Sequence, residues 1–188
     1  MRLATISAVV LFATTSAFGG WFETESNDTP ALADPIPHNT VCDMEALIGF
    51  ADLSPGPAGG GDVDWFSVVV PVGCYLTAIT SPFGGPTTPP DTIMALFDSA
   101  GAFIVGNDDA GSDSPPGADF FGSAFRFVNF GGWASTTFFI GISGFPDFGF
   151  SGAHDKVGPY ALTTSIFPEP ATMGLLALGL GVIARRRR

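Results

Sequence analysis

The chain has 188 residues, with 7 basic against 18 acidic side chains and a formal net charge of −11. Five of the basic residues sit at the two ends, Arg2 and Arg185 to Arg188, so the 17 acids from Glu23 to Asp155 face Arg126 and Lys156 alone, a balance near −15. Nucleic acid is thereby excluded as a partner, because phosphate binding needs clustered Lys and Arg, whereas bound cations would ease the self-repulsion.

Read in chain order, Met1-Arg2 precedes an apolar run from Leu3 to Ala13 and the small residues Thr14 to Ala17. One basic residue, a short apolar region and a small-residue exit predict a secretory signal peptide over residues 1–17, helical before removal. Cleavage after Gly19 or Gly20 is the alternative. Export favours a disulfide between Cys42 and Cys74, the one intramolecular pairing two cysteines allow; two separate buried thiols remain the other possibility.

Residues 18–40 read as an extended acidic lead-in. Its Glu23-Thr24-Glu25-Ser26-Asn27-Asp28 packs four carboxylate or amide side chains at i, i+2, i+4 and i+5. Alternate side chains of an extended segment point the same way, so Glu23, Glu25 and Asn27 can converge. Hard oxygen donors at this density suit Ca²⁺, which takes six to eight of them. A second acidic pair, Asp62 and Asp64, follows three glycines and precedes Trp65-Phe66.

Residues 41–167 carry short apolar runs separated by Gly, Pro, Asp and Ser. Eight strands are predicted: Ala46–Ala51, Trp65–Val70, Tyr75–Thr80, Thr92–Asp98, Phe103–Gly106, Phe125–Phe130, Thr136–Ser143 and Tyr160–Ile166. Phe138, Ile140 and Ile142 share one face of theirs, as a half-buried strand requires. Asp98-Ser99-Ala100-Gly101 reads as a hairpin turn. Many short strands with turn signals between them predict an all-β sandwich or barrel. The 19 phenylalanines are read chiefly as core, with Phe145, Phe148 and Phe150 in a Gly-rich loop where burial is less assured. His154, beside Asp155, reads as a solvated loop residue.

The order Glu-x-Glu-x-Asn-Asp, then Gly-Asp-x-Asp-Trp-Phe, then Asp91-Thr92 opening a strand that ends Leu96-Phe97-Asp98, then Asn107-Asp108-Asp109, then Gly158-x-Tyr160 resembles the bacterial pre-peptidase C-terminal domain. The resemblance runs from Glu23 to Ile166. It implies a small jelly-roll β-sandwich of about eight strands. It also implies a calcium site drawn from Glu23, Glu25, Asn27, Asp28, Asp62 and Asp64, with Asn107, Asp108 and Asp109 as a second metal position or a turn cap.

Catalysis is not expected. There is no Gly-x-Ser-x-Gly elbow, no His-Glu-x-x-His and no Cys-x-x-Cys, and the paired carboxylates cluster on loops.

The end of the sequence has three parts: Pro168-Glu169-Pro170, an apolar stretch from Ala171 to Ala184, and Arg185, Arg186, Arg187 and Arg188. As a helix the stretch spans about 21 Å, short of the roughly 30 Å hydrocarbon core, and the arginines resist crossing. This is a weak, transient membrane stop with the rest of the chain outside. The tripartite order resembles the PEP-CTERM sorting signal, whose partner is an exosortase-type processing enzyme. The expected product is a calcium-stabilised, non-catalytic protein delivered to the cell envelope, cell surface or extracellular matrix. Its role there is structural or adhesive, in contact with exopolysaccharide or matrix proteins.

Overall fold

A computed structural model of the chain describes residues 20–55, 61–82, 89–110, 121–133, 135–169 and 174. The expected signal-peptide helix and all but one residue of the expected apolar tail helix lie outside them. Among the described residues no helix is long and apolar enough to cross a membrane.

Ten strands form among these residues: β1 (Gly20–Phe22), β2 (Asp34–Pro35), β3 (Ala46–Leu53), β4 (Asp64–Val69), β5 (Cys74–Pro82), β6 (Thr92–Phe97), β7 (Phe103–Asn107), β8 (Ala124–Val128), β9 (Thr137–Gly144) and β10 (Gly158–Pro168). Eight of them fall on the predicted runs. The expectation of about eight strands is corrected to ten because the lead-in supplies β1 and β2, too short to show any alternation. They build two five-stranded sheets, ordered β1-β3-β10-β5-β8 and β2-β4-β9-β6-β7. Each is mixed: β1 runs parallel to β3 and β2 parallel to β4, while the other pairings are antiparallel.

Period-two burial explains how the sheets meet. Leu76, Ala78 and Thr80 of β5 point inward beside Ile166, Thr164 and Leu162 of β10. From the other sheet come Phe66, Val68, Met94, Leu96, Phe138, Ile140 and Ile142, and a single buried cluster unites both sets. The sheets therefore pack face to face as a sandwich. The outer face of the second sheet is covered as well. Phe150, from the loop after β9, packs on Trp65 and Phe97 at ring-centroid distances of 6.1 and 5.4 Å. These rings lie over Gly141, where a Cβ would meet all three.

The lead-in docks through Trp21, which meets Phe66 edge-on at 5.1 Å and occupies the space that any side chain on Gly49 would need. Cys42 is disulfide-bonded to Cys74, with 5.8 Å between Cα atoms. The predicted hairpin forms as well. Asp98 Oδ1 accepts the Ala100 and Ala102 amides, and Gly101 takes φ 81°.

The registers define two ends of the sandwich. Asp64, Leu53, Thr92 and Gly158 lie at one, called here the acidic end. Val69, Cys74, Thr137 and Pro168 lie at the other, the exit end.

Candidate metal centre

Four of the expected ligands are anchored at the acidic end by one atom each. Glu23 leaves β1, and its Oε1 accepts the Asp52 amide at 2.5 Å. Asn27 is buried, and its backbone carbonyl accepts the Trp65 amide at 3.1 Å. Asp62 Oδ2 accepts the Ser54 amide at 2.9 Å. Asp64 sits on the core face of β4, where its Oδ2 accepts the Tyr160 hydroxyl at 2.5 Å. No hydrogen-bond partner is in place for Glu23 Oε2, Asp62 Oδ1, Asp64 Oδ1 or Asn27 Oδ1; the Asn27 side chain lies close enough to Glu23 to favour its ionised form. Ligand atoms of Glu23, Glu25 and Asp64 lie within 4.8 Å of one another, and those of Glu25, Asp28 and Asp62 form a second such group. The two groups share Glu25, which with Asp28 is exposed.

This arrangement is costly for a bare protein. Burial pushes the Glu23 carboxyl up to about 8, against the pull of the Asp52 amide and aided by Glu25 and Asp62. Burial likewise lifts Asp62 to about 6 and Asp64 well above the usual carboxylate range, with Glu23 and Asp62 adding repulsion. Glu25 is raised by burial and then by Asp28. A buried polar group without a partner costs about 1–3 kcal/mol, a cost that the bare protein lowers by holding protons on these raised carboxyls and that a bound counter-charge would also relieve. A hard divalent cation would suit such a set, whose free ligand atoms are carboxylate and amide oxygens.

The loop after β9 forms a wall of the second group. Asp28, Asp62, Phe150, Ser151 and Gly152 line one hollow there. The loop is held by Asp147, which is buried and accepts hydrogen bonds from Ser143 Oγ, Ser151 N and Oγ, and Gly152 N. Burial opposes its ionisation, but these donors outweigh burial and keep the carboxyl below its ordinary range. Replacing Asp147 with Ala strands four donors. We expect a loss of about 2–4 kcal/mol in denaturant unfolding, together with weaker calcium binding by calorimetry.

His154 corrects its expectation. It is buried rather than solvated, with Nε2 donating to the Asp62 carbonyl at 2.8 Å and Nδ1 accepting the Lys156 amide at 3.2 Å. It thus fixes the backbone that presents Asp62.

The second expected group divides. Asp108 and Asp109 converge with Asp91, a residue that sequence reasoning placed at a strand start and not in a site. Asp91 Oδ1 and Asp108 Oδ1 are unpartnered. Asn107 turns away, its Oδ1 accepting the Ala124 amide at 3.4 Å between β7 and β8. Tyr160 was also missed as a site residue; no spacing rule links residue 160 to residue 64.

Elsewhere, His38 bridges Asp43 Oδ2 and Thr164 Oγ1, each at 3.0 Å. The chain hydroxyl–imidazole–carboxylate has the shape of a nucleophile relay. Thr164, however, is fully buried on the core face of β10, so the set pins the lead-in to the sheet.

At the exit end Pro168 closes β10 opposite Cys74, and the Glu169 amide donates to the Gly73 carbonyl at 2.8 Å. Pro170 and Arg185 to Arg188 lie outside the described residues. Residues 168–188 match the PEP-CTERM protein-sorting motif. A PEP-CTERM signal marks a protein exported across the inner membrane to the cell envelope or surface and recognised by an exosortase-type processing enzyme. No curated protein matches the chain. Among solved structures it is similar to the periplasmic inhibitor of g-type lysozyme, PliG, from Aeromonas hydrophila. That match has 14% identity and a TM-score of 0.44, covering 71% of this chain and 95% of that one. A likeness so distant carries no argument about fold or activity.

Proposed function

We propose that the PEP-CTERM tail delivers a calcium-stabilised, non-catalytic jelly-roll sandwich of the pre-peptidase C-terminal type to the cell surface or matrix, where it serves a structural or adhesive role. The carrying observation is the set of orphaned oxygens on Glu23, Asn27, Asp62 and Asp64. Set β1 and β2 aside and the strand orders β3-β10-β5-β8 and β4-β9-β6-β7 support the jelly roll, with two Greek keys interleaved between sheets. Ca²⁺ at the acidic end ties the lead-in to β4. During export the 14 apolar residues from Ala171 stop in the inner membrane, with Arg185 to Arg188 cytoplasmic, until an exosortase cuts near Pro168-Glu169-Pro170. Mass spectrometry of the protein recovered from the envelope and medium of producing cells should find a new terminus near residues 168–170. Intact Arg188 on the delivered protein would overturn the processing.

A carbohydrate- or protein-binding module is the second reading, favoured by one groove. Phe103 and Phe148, both largely exposed, flank a floor of Ile93, Ala95 and Gly106, with Asn107 and Asp108 at one end. Aromatic faces beside polar groups suit stacking against a sugar ring.

A further inference from the structure

Val41, Met44, Val72, Phe130 and Trp133 stand exposed where the chain leaves the sandwich toward its tail; Val41 and Val72 are each 61% exposed and Phe130 74%. They share one surface. The disulfide holds Val41's neighbour, Cys42, to Cys74 beside the Val72 turn. The Met44 amide donates to the Ile166 carbonyl at 3.0 Å, and the Gly73 amide to the Asn129 carbonyl at 2.8 Å. Asn129 Nδ2 then donates to the Val70 carbonyl at 2.6 Å, joining the β4–β5 turn to the loop after β8. Trp133 leans on Phe127 and Phe138. Single exposed apolar residues need no explanation, but a cluster at one end of a fold marks a contact surface.

The length of the tether names the occupant. The fold holds the chain as far as Glu169, and the apolar stretch begins at Ala171. Two residues reach at most about 7 Å, roughly the depth of one headgroup layer. A stretch of about 21 Å drawn into a core of roughly 30 Å leaves no slack. β1, followed backward from Phe22, runs toward the same end. Charge agrees with this orientation. Glu23, Asp62, Asp64, Asp91, Asp108 and Asp109 lie at the far end. At the exit end the described residues include Asp43, Glu45, Asp98 and Glu169, a sparser set, with Asp43 hydrogen-bonded to His38 and Asp98 Oδ1 to two amides. Arg126 lies toward this end, 4.2 Å over the Tyr75 ring. Aromatic and basic groups with apolar tips are what an anionic bilayer interface accepts.

We infer that Val41, Met44, Val72, Phe130 and Trp133 dock the exit end on the lipid headgroup surface while the tail is inserted, with the acidic end turned away from the bilayer. The inference rests on the proposed insertion of the tail. It presents Pro168 and Glu169, the start of the sorting motif, at headgroup depth, where a membrane-embedded processing enzyme can reach them.

Hydrogen exchange of the exported chain with its tail intact, reconstituted on 3:1 phosphatidylethanolamine:phosphatidylglycerol vesicles, tests this. Amides in residues 41–45, 72–73 and 129–133 should exchange at least threefold more slowly than in detergent, and those in 145–157 should not change. The double variant Val72→Asp, Phe130→Asp should lose that slowing while still floating with vesicles and keeping its melting midpoint. Flotation without slowing at the three segments overturns this inference alone. Failure to float overturns the tail reading and this inference together. Slowing at 145–157 reverses the orientation and overturns it. If the patch is unprotected on vesicles and the double variant stops tail cleavage in cells, the partner is a protein and the bilayer assignment falls.

Discussion

The tail-processed domain should melt about 8–16 °C higher in saturating calcium than in chelator. A ligand about a thousandfold above its dissociation constant adds about 4 kcal/mol to the state that binds it. In a domain of roughly 150 residues each kcal/mol moves the midpoint by about 2–4 °C. Identical midpoints would remove the metal from the account. The pH dependence is equally diagnostic. Glu23 is lifted from 4.5 to about 8, and Asp62 from 3.8 to about 6. Between those limits the folded, metal-free domain holds protons that the unfolded chain has released. Linkage then makes stability fall as pH rises from about 4 to about 8. Bound calcium would replace those protons, so its stabilising effect should grow across the same window. Asp64→Asn separates the terms. It keeps an acceptor for the Tyr160 hydroxyl and removes a charge that Glu23 and Asp62 repel. We expect the variant to melt higher than the parent in chelator and to gain little from calcium. A variant destabilised in chelator and still responsive to calcium would contradict the site.

Loss of the Cys42–Cys74 disulfide should cost about 3–4 kcal/mol. The estimate follows from the entropy of closing a loop in the unfolded chain, given a separation of 32 residues. The Cys42→Ser, Cys74→Ser double variant should unfold at correspondingly lower denaturant, as should the parent after reduction. The bond also sits at the Gly73–Cys74 turn, to which the Glu169 amide is tied. Limited proteolysis should therefore cut the reduced protein sooner around residues 40–44 and 168–169. Unchanged unfolding on reduction would show that the lead-in is held by β1, β2 and His38 alone.

The legibility of this chain in its sequence follows from what each feature depends on. The eight longer strands were visible because burial on one face imposes alternation, as in Phe138, Ile140 and Ile142. β1 and β2 were not, since three and two residues pairing in parallel leave no period; their places are set by Trp21 over Gly49 and by Asp34 and Pro35 beside Phe66 and Ser67. Of the candidate ligands, Glu23, Glu25, Asp28, Asp62 and Asp64 were recognisable as oxygen-rich runs, and the fold brings them together. Asn107 looked equivalent to its neighbours, yet a strand-to-strand hydrogen bond claims it. Asp91, Tyr160 and His154 gain their roles from elements far away in the sequence, so local pattern carried no sign of them. The tail, read within 21 consecutive residues, needed no tertiary context.

The position of β10 has a consequence in time. This strand is the last among the described residues, yet it lies in the middle of its sheet, between β3 and β5, and it brings the Tyr160 hydroxyl to Asp64. Until it arrives, β3 and β5 have open edges facing a gap one strand wide, and the core lacks Leu162 and Ile166. Non-local pairings of this kind close late. A chain exported from its N-terminus thus cannot lock while its own residues 158–168 are still in transit. By the moment the sandwich shuts, the residues next to emerge are those of the sorting signal, so completion of the fold and presentation of that signal become one event.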